Sequence, residues 1–321
     1  MTVQLVDPAA GSPLELQADG YRAADGTIFP IIAGVPRICE MSNYTASFGK
    51  QWNLFASTQI DDPDGGRRLT EIRFFTETGW QAEELDGLDV LEVGSGAGRF
   101  SRVVLDRTKA NLWSVDYSTA VEANMETNGG IDPERFRLFQ ASVYEMPFPD
   151  GSFDRVFCFG VLQHTPDFEK SVQSLISKAK AGGKIVVDFY ARRHALSKIN
   201  AKYLLRPLTK RMDHERLLAL IDRNIDWLMA LSGGMTRIGL GVLTRFLPLT
   251  DLRLYPKYLT RAELREWALL DTFDMYSPEY DNPQRIKDVA AMFERHGARV
   301  DFADNVEVDG TMVAVVRGTK R

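Results

Sequence analysis

The sequence predicts an α/β fold, a doubly wound parallel sheet flanked by helices, from three observations. Short apolar runs alternate with helical periods from about residue 86 to 190, the rhythm of repeated strand–helix–strand units. The run Val90-Leu91-Glu92-Val93-Gly94-Ser95-Gly96-Ala97-Gly98-Arg99-Phe100 reads as a buried strand that ends on an acid and turns through three alternate glycines into a helix. A second strand, Ala110 to Asp116, then ends on another acid, 22 residues beyond Gly94.

Those features carry chemistry as well as fold. Glycines let the backbone approach a ligand, and the helix that follows offers N–H groups at its N-terminus. The dinucleotide spacing G-x-G-x-x-G would need a glycine where Arg99 stands, so a pyrophosphate cradle is not indicated. Asp116, at the end of the neighbouring strand, is placed to accept two ribose hydroxyls or to cap a helix starting near Ser118. Glu92 needs a partner, because an unpaired buried carboxylate is costly.

An acid followed by G-x-G-x-G resembles motif I of the class I S-adenosylmethionine (SAM) methyltransferases. Gln140-Ala141-Ser142-Val143-Tyr144-Glu145-Met146-Pro147-Phe148, followed by Pro149-Asp150-Gly151-Ser152-Phe153-Asp154, is similar to a stretch of the type 11 branch of that family. Asp154 to Phe159 reads as the fourth strand, Gly160 to Asp167 as its exit, and Gly182-Gly183-Lys184 as the entry to the fifth. The resemblance implies a Rossmann-like seven-stranded sheet with a reversed terminal strand. It also implies SAM as cofactor and S-adenosylhomocysteine as spent product. Carried over position by position, Glu92, Gly94, Ser95, Gly96 and Gly98 would hold the methionine end, and Asp116 with Tyr117 the ribose. Ser142 and Val143 would meet the adenine, and Phe159 and Gly160 would face both cofactor and acceptor. Ser142 departs from the family's aspartate there, which shifts adenine recognition toward the Val143 backbone.

The remaining chain is assigned in order. Residues 1–42 form a small N-terminal unit, with strand pieces Leu14-Glu15-Leu16 and Tyr21-Arg22 around an Asp19-Gly20 turn. Its Phe29-Pro30-Ile31-Ile32-Ala33-Gly34-Val35-Pro36 segment resembles the zinc-ribbon module of the activator subunit of tRNA and translation-factor methyltransferases. The metal-binding cysteines of that module are missing, so packing must replace zinc. Residues 43–85 read as a helical lid or linker. There Tyr44, Phe48, Trp52 and Phe55 share a helical face, either as core or, with Gln51 and Trp52, as cofactor or acceptor contacts. The methyltransferase domain covers 86–190 and 283–321, closing with strands at Arg299–Phe302 and Thr311–Val316. Asn282-Pro283 reads as the start of its last helix.

Residues 191–282 form a helical insertion after strand five, which the resemblance places at the acceptor pocket. Leu217, Leu218, Ile221, Ile225, Leu228 and Met229 keep helical spacing, and Thr260 to Glu263 is a capping box. Between Ala191 and Met212 lie seven basic residues and no acid. That stretch is a solvated helix face, or it is drawn to an anionic membrane surface or a phosphorylated acceptor. Tyr276, Tyr280 and Asp281, in a loop rich in acids and tyrosines, are the acceptor-side candidates.

Methyl transfer from a sulfonium needs alignment and exclusion of water but no acid for the leaving group. A hydroxyl acceptor also needs a base, for which His164 is the candidate; otherwise His164 is a positioner. The net charge of −5 over 321 residues argues against a generally basic nucleic-acid footprint. Two cysteines far apart, with no signal-peptide pattern after Met1, fit a cytoplasmic setting. Four histidines and no cysteine pair make a structural zinc site an unexpected feature. The expected function is a SAM-dependent methyltransferase for a small-molecule or glycan-type acceptor, at oxygen. The alternatives are a tRNA or protein target and a non-catalytic SAM-binding scaffold.

Overall fold

The computed structural model describes residues 3–40, 43–45, 48–49, 61, 68–192 and 200–321. They fall into two compact units: residues 1–191, 280–308 and 312–321, and residues 192–279 with 309–311.

The first unit is organised by one mixed sheet. Its parallel centre comprises β5 (Asp89–Val93), β6 (Asn111–Asp116), β7 (Phe136–Ala141), β8 (Phe153–Cys158) and β9 (Ala179–Phe189). The apolar runs are strands because both faces are covered, which removes the alternation of a half-exposed sheet. Leu91 and Val93 enter one core with Phe139, Val156 and Val187. Val90 enters the other with Leu112, Leu138 and Phe157. Glu92 therefore shares a face with Val90, under the helices. At one side β11 (Thr311–Lys320) runs antiparallel to β9, with β10 (Ala298–Val308) outside it.

Among the described residues the expected seven strands are eleven. The order is β1-β2-β3-β4-β7-β6-β5-β8-β9-β11-β10, where β1 (Glu15–Gln17), β2 (Gly20–Arg22), β3 (Ile28–Ile32) and β4 (Val35–Ile38) come from the N-terminal segment. β4 pairs in parallel with β7, Arg37 opposite Gln140 and Ile38 opposite Ala141. An unpaired edge on β7 would be a docking liability, and β4 covers it. Leu5, Leu14, Ala23 and Ile38 are buried in the same core as Leu91 and Phe139. The N-terminal segment is thus part of the first unit rather than a body of its own.

The helices of this unit are α1 (Leu69–Thr78), α2 (Arg99–Arg107), α3 (Val121–Asn128), α4 (Phe168–Lys178) and, later in the chain, α8 (Ile286–Arg295). Asp61 accepts the N–H groups of Thr70 and Glu71 at the start of α1. The last helix begins at Ile286 and not at Asn282. Asn282 is committed elsewhere: its N–H donates to the Gln163 carbonyl and its side-chain amide to the Thr165 carbonyl.

The second unit is helical, with α5 (Ala201–Thr209), α6 (His214–Arg237) and α7 (Arg261–Tyr276). Leu217, Ile221, Ile225 and Leu228 form the buried stripe of α6, which packs on α7. Thr260 and Glu263 make the expected reciprocal cap. Within the basic stretch, Arg206 is buried and donates to the carbonyls of Met275 and Pro278, so this cation serves the fold. No helix among the described residues is long and apolar enough to cross a membrane.

Candidate cofactor and acceptor site

The site lies at the carboxyl ends of β5, β6 and β8, where adjacent parallel strands hand over to helices on opposite faces of the sheet. Gly94, Gly96 and Gly98 all take positive φ, at 81°, 54° and 87°. A Cβ on Gly94 would lie 2.2 Å from a Val161 methyl, and one on Gly98 would strike Asn124 and Asn128. Both the conformation and the packing exclude side chains there.

Asp116 is locked to this turn. One carboxylate oxygen accepts the Gly96 N–H at 2.8 Å, and the other accepts the Ser118 N–H and hydroxyl. It thus closes the turn ahead of α3, which starts at Val121 without a side-chain cap, and also sits beside the glycine turn, partly exposed. Burial raises its pKa, while the Ser118 and Gly96 donors oppose that.

Glu92 is 1% exposed. One oxygen accepts the hydroxyls of Ser101 on α2 and Ser114 on β6. Its other oxygen, like the Ser95 hydroxyl, has no hydrogen-bond partner. Burial pushes the Glu92 carboxyl up to about 7, against the two serine hydroxyls, with the Asp116 charge adding to the rise. Two orphaned polar atoms beside a glycine turn fit a ligand that carries a polar, zwitterionic end.

The adenine-side candidates are placed differently. Ser142 is buried and its hydroxyl accepts the Tyr144 N–H, while the Val143 carbonyl takes the Ser174 hydroxyl. The Phe159 ring packs on Phe100 and Phe157 in the core, so only its backbone is left for the strand end. Gly160 has φ of 70°, and a Cβ there would meet nothing within 4 Å.

Tyr117 connects the two halves of the site. Its carbonyl accepts from Asn43 and Gln140, and its ring meets Tyr44 edge-on at 5.4 Å. Tyr44 makes the same contact with Tyr280 on its other side. Phe48 packs against the His164 ring at 5.0 Å. Thus the described part of the segment read as a lid touches the cofactor loop, the strand-four exit and the Tyr280 segment. Gln51 and Trp52 lie outside the described residues.

His164 is buried, and its Nδ1 donates to the Tyr280 carbonyl at 3.1 Å. A carbonyl only accepts, so Nδ1 carries the hydrogen, and in the neutral imidazole the lone pair falls on Nε2. Together with the Asn282 bonds, it fastens residues 280–282 to the turn at 162–165. Tyr280 and Asp281 therefore join the site region of the first unit. Tyr276 ends α7 in the second unit, where its hydroxyl is buried without a partner.

Sequence reasoning missed several residues that shape this region. Asn124 and Asn128 back the Gly98 turn from α3, and nothing in a neutral amide on a helix signals that role. Asp188 pairs with Arg73 and also takes the Gly160 N–H. An acid inside the apolar run Ile185 to Phe189 was the available sign, by the same reasoning that singled out Glu92.

Residues 91–187 match the family described as a methyltransferase domain. The mitochondrial ubiquinone biosynthesis O-methyltransferase of Schizosaccharomyces pombe is 29% identical over 166 residues, 48% of this chain and 60% of that one. Phosphoethanolamine N-methyltransferase 2 of Caenorhabditis elegans is 30% identical over 112 residues, 33% of this chain and 24% of that one. The chain spans less than two-thirds of the length of either relative. The solved magnesium protoporphyrin IX methyltransferase of Synechocystis is similar at 14% identity and a TM-score of 0.46, over 87% of this chain and 97% of that one.

Proposed function

We propose that the chain is a SAM-dependent methyltransferase acting on a small-molecule or glycan-type acceptor at oxygen. The observation that carries this reading is the Asp116 carboxylate bound to the Gly96 N–H, which joins the ribose-side acid to the glycine turn at adjacent strand ends. When bound, SAM supplies an activated methyl on a sulfonium. Glu92 and Ser95 would hold its amino-acid end, Asp116 its ribose, and the backbone around Val143 its adenine.

The remaining task of the protein is alignment and exclusion of water. Tyr44, Phe48 and Tyr280 supply apolar cover around the strand-four exit. His164, with its lone pair on Nε2, would accept the proton of a hydroxyl acceptor. For an acceptor that is already nucleophilic, the same residue positions the Tyr280 segment. The name of the Schizosaccharomyces relative agrees with oxygen as the methylated atom.

A second reading, a macromolecular target, rests on β1–β3. Leu16, Ile28, Ile31 and Ile32 are all exposed there, and the segment resembles a module that serves as an activator. Calorimetric titration with SAM tests the cofactor, and absence of binding overturns the SAM-dependent reading. Methyl transfer from labelled SAM into cell extract, with nuclease or protease treatment, separates the acceptors. Loss of label after either treatment overturns the small-molecule reading.

A further inference from the structure

Behind the glycine turn, three polar side chains link the Gly98 carbonyl to the Glu92 carboxylate. Ser101 on α2 and Asn124 and Asn128 on α3 are fully buried. The Asn128 amide nitrogen donates to the Gly98 carbonyl at 2.9 Å and to the Asn124 side-chain oxygen at 2.8 Å. The Asn124 amide nitrogen donates to the Ser101 hydroxyl at 3.1 Å, and that hydroxyl donates to Glu92 Oε2. Ser114 on β6 gives a second hydroxyl to the same oxygen at 2.6 Å.

The direction of this chain is fixed from the glycine end. A backbone carbonyl only accepts, so Gly98 must receive the amide nitrogen of Asn128. The same nitrogen meets Asn124, which turns the Asn124 oxygen toward it and the Asn124 nitrogen toward Ser101. The Ser101 hydroxyl, already accepting, has its hydrogen left to give, and Glu92 Oε2 receives it. Every donor therefore points at the carboxylate, and each bond polarises the next. Stability alone would not select this arrangement, because Asn128 Oδ1 is left buried without a partner. At the other end, both hydroxyls go to Oε2, and Oε1 is the oxygen left without a donor.

Few other groups act on Glu92. Burial raises its carboxyl, the Ser101 and Ser114 hydroxyls oppose that rise, and the Asp116 charge on β6 adds to it. On β8, burial pushes the Cys158 thiol well above its ordinary value. The charged side chains of α2 and α3 are engaged elsewhere or exposed. Arg99 lies over the Phe100 ring, Arg102 pairs with Asp106, Arg107 with Glu71 and Glu122 with Arg37, while Glu126 is exposed.

We infer that Asn124 is a positioning residue for cofactor binding: through Ser101 it keeps Glu92 Oε2 an acceptor and presents Oε1 to the ammonium of SAM. A proton on this carboxyl then sits on Oε1, where the arriving ammonium replaces it and the proton leaves to solvent. The inference rests on the SAM reading above.

The test first reads the Glu92 carboxyl in the ligand-free chain, by carbon-13 NMR of the glutamate carboxyls across the neutral range. Glu92→Gln identifies the signal. Asn124→Ala should raise the titration midpoint by about one pH unit. Calorimetry at neutral pH should show SAM binding weakened by about tenfold, a loss that shrinks in alkaline buffer, where Glu92 is ionised in both proteins. Ser101→Ala should act likewise, and the double variant should be no worse than Ser101→Ala, because Asn124 works through that hydroxyl. Asn124→Leu, which fills the space without a donor, should give the same shift should Asn124→Ala not fold. An unmoved midpoint, an affinity loss equal at every pH, or effects that add in the double variant overturns the inference. SAM uptake with an unmoved midpoint strikes the relay alone. A moved midpoint in a chain that takes up no SAM strikes the cofactor reading, and the ligand half of the inference with it.

Discussion

Asp188 holds the Gly160 amide with one carboxylate oxygen and pairs with Arg73 through the other. The arrangement ties the start of the strand-four exit to α1, because Arg73 also bonds Glu77, which is fully buried. Burial raises the Glu77 carboxyl, and the Arg73 charge opposes that rise. Removing Arg73 would strand two carboxylates in the interior. Breaking one partner of a buried pair costs about 3–5 kcal/mol, so Arg73→Met should lose stability on that scale in urea denaturation. Arg73→Lys should recover only part, because an ammonium lacks the planar fork that reaches both acids. Full stability in Arg73→Met would remove the network from the account.

Gly94→Ala tests whether the glycine turn is fixed by packing as well as by conformation. The added methyl would collide with Val161 at a residue whose φ is already positive. The variant should unfold at lower denaturant and lose SAM affinity by at least about tenfold. Adding Val161→Ala relieves the collision but not the backbone strain, so the double variant should regain part of both. If the double variant were no better than Gly94→Ala, the contact with Val161 would not be the cause.

Much of this was readable in advance, and the unread part has a physical pattern. Local signals sufficed where backbone chemistry is the signal: alternate glycines, strand-end acids, the Thr260–Glu263 cap. Long-range pairing left no such mark. Nothing in Val35-Pro36-Arg37-Ile38 says that it will lie parallel to Phe136–Ala141, because a short apolar run fits many edges. Asn282 was read as a helix cap since the local pattern allows it, yet a tertiary bond to Thr165 took its side chain. Asn124 and Asn128 behind Gly98 belong to the same class, set by what packs across the fold and not by near neighbours in sequence.

The pH dependence of stability should carry the imprint of Glu92. Its folded value of about 7 stands above the ordinary 4.5. Between those values the folded state binds more protons than the unfolded one. Stability therefore falls as pH rises through that window and levels off above it. The difference corresponds to about 3 kcal/mol at neutral pH. Glu92→Gln removes the ionisation, so its stability relative to the parent should improve by about that amount from pH 4.5 to 8. SAM binding should show the opposite slope. If the ligand's ammonium meets the orphaned Glu92 oxygen, affinity rises as Glu92 ionises and binding near pH 7 releases a proton. Calorimetry in two buffers of different ionisation enthalpy reads that proton, and an unchanged pH profile in Glu92→Gln would contradict the assignment.

Arg37 carries the last prediction, which concerns how β4 bears on the loop after β6. Its side chain is 1% exposed and donates to Gln140 at 2.9 Å and to Glu122 at 3.1 Å. Gln140 in turn donates to the carbonyl of Tyr117, the residue after Asp116. A cation on β4 thus orients the amide that supports the loop after Asp116, two bonds away. Arg37→Met keeps the bulk of the stem but leaves the Gln140 carbonyl without its donor, at a cost of about 1–3 kcal/mol. The expected outcome is a lower melting temperature together with weaker SAM binding. Gln140→Glu, with Arg37 in place, keeps the pairing with Arg37 but loses the donor to Tyr117, so stability should stay near the parent while SAM affinity falls. Should Arg37→Met lower stability and leave affinity untouched, β4 would be an edge cover and nothing more.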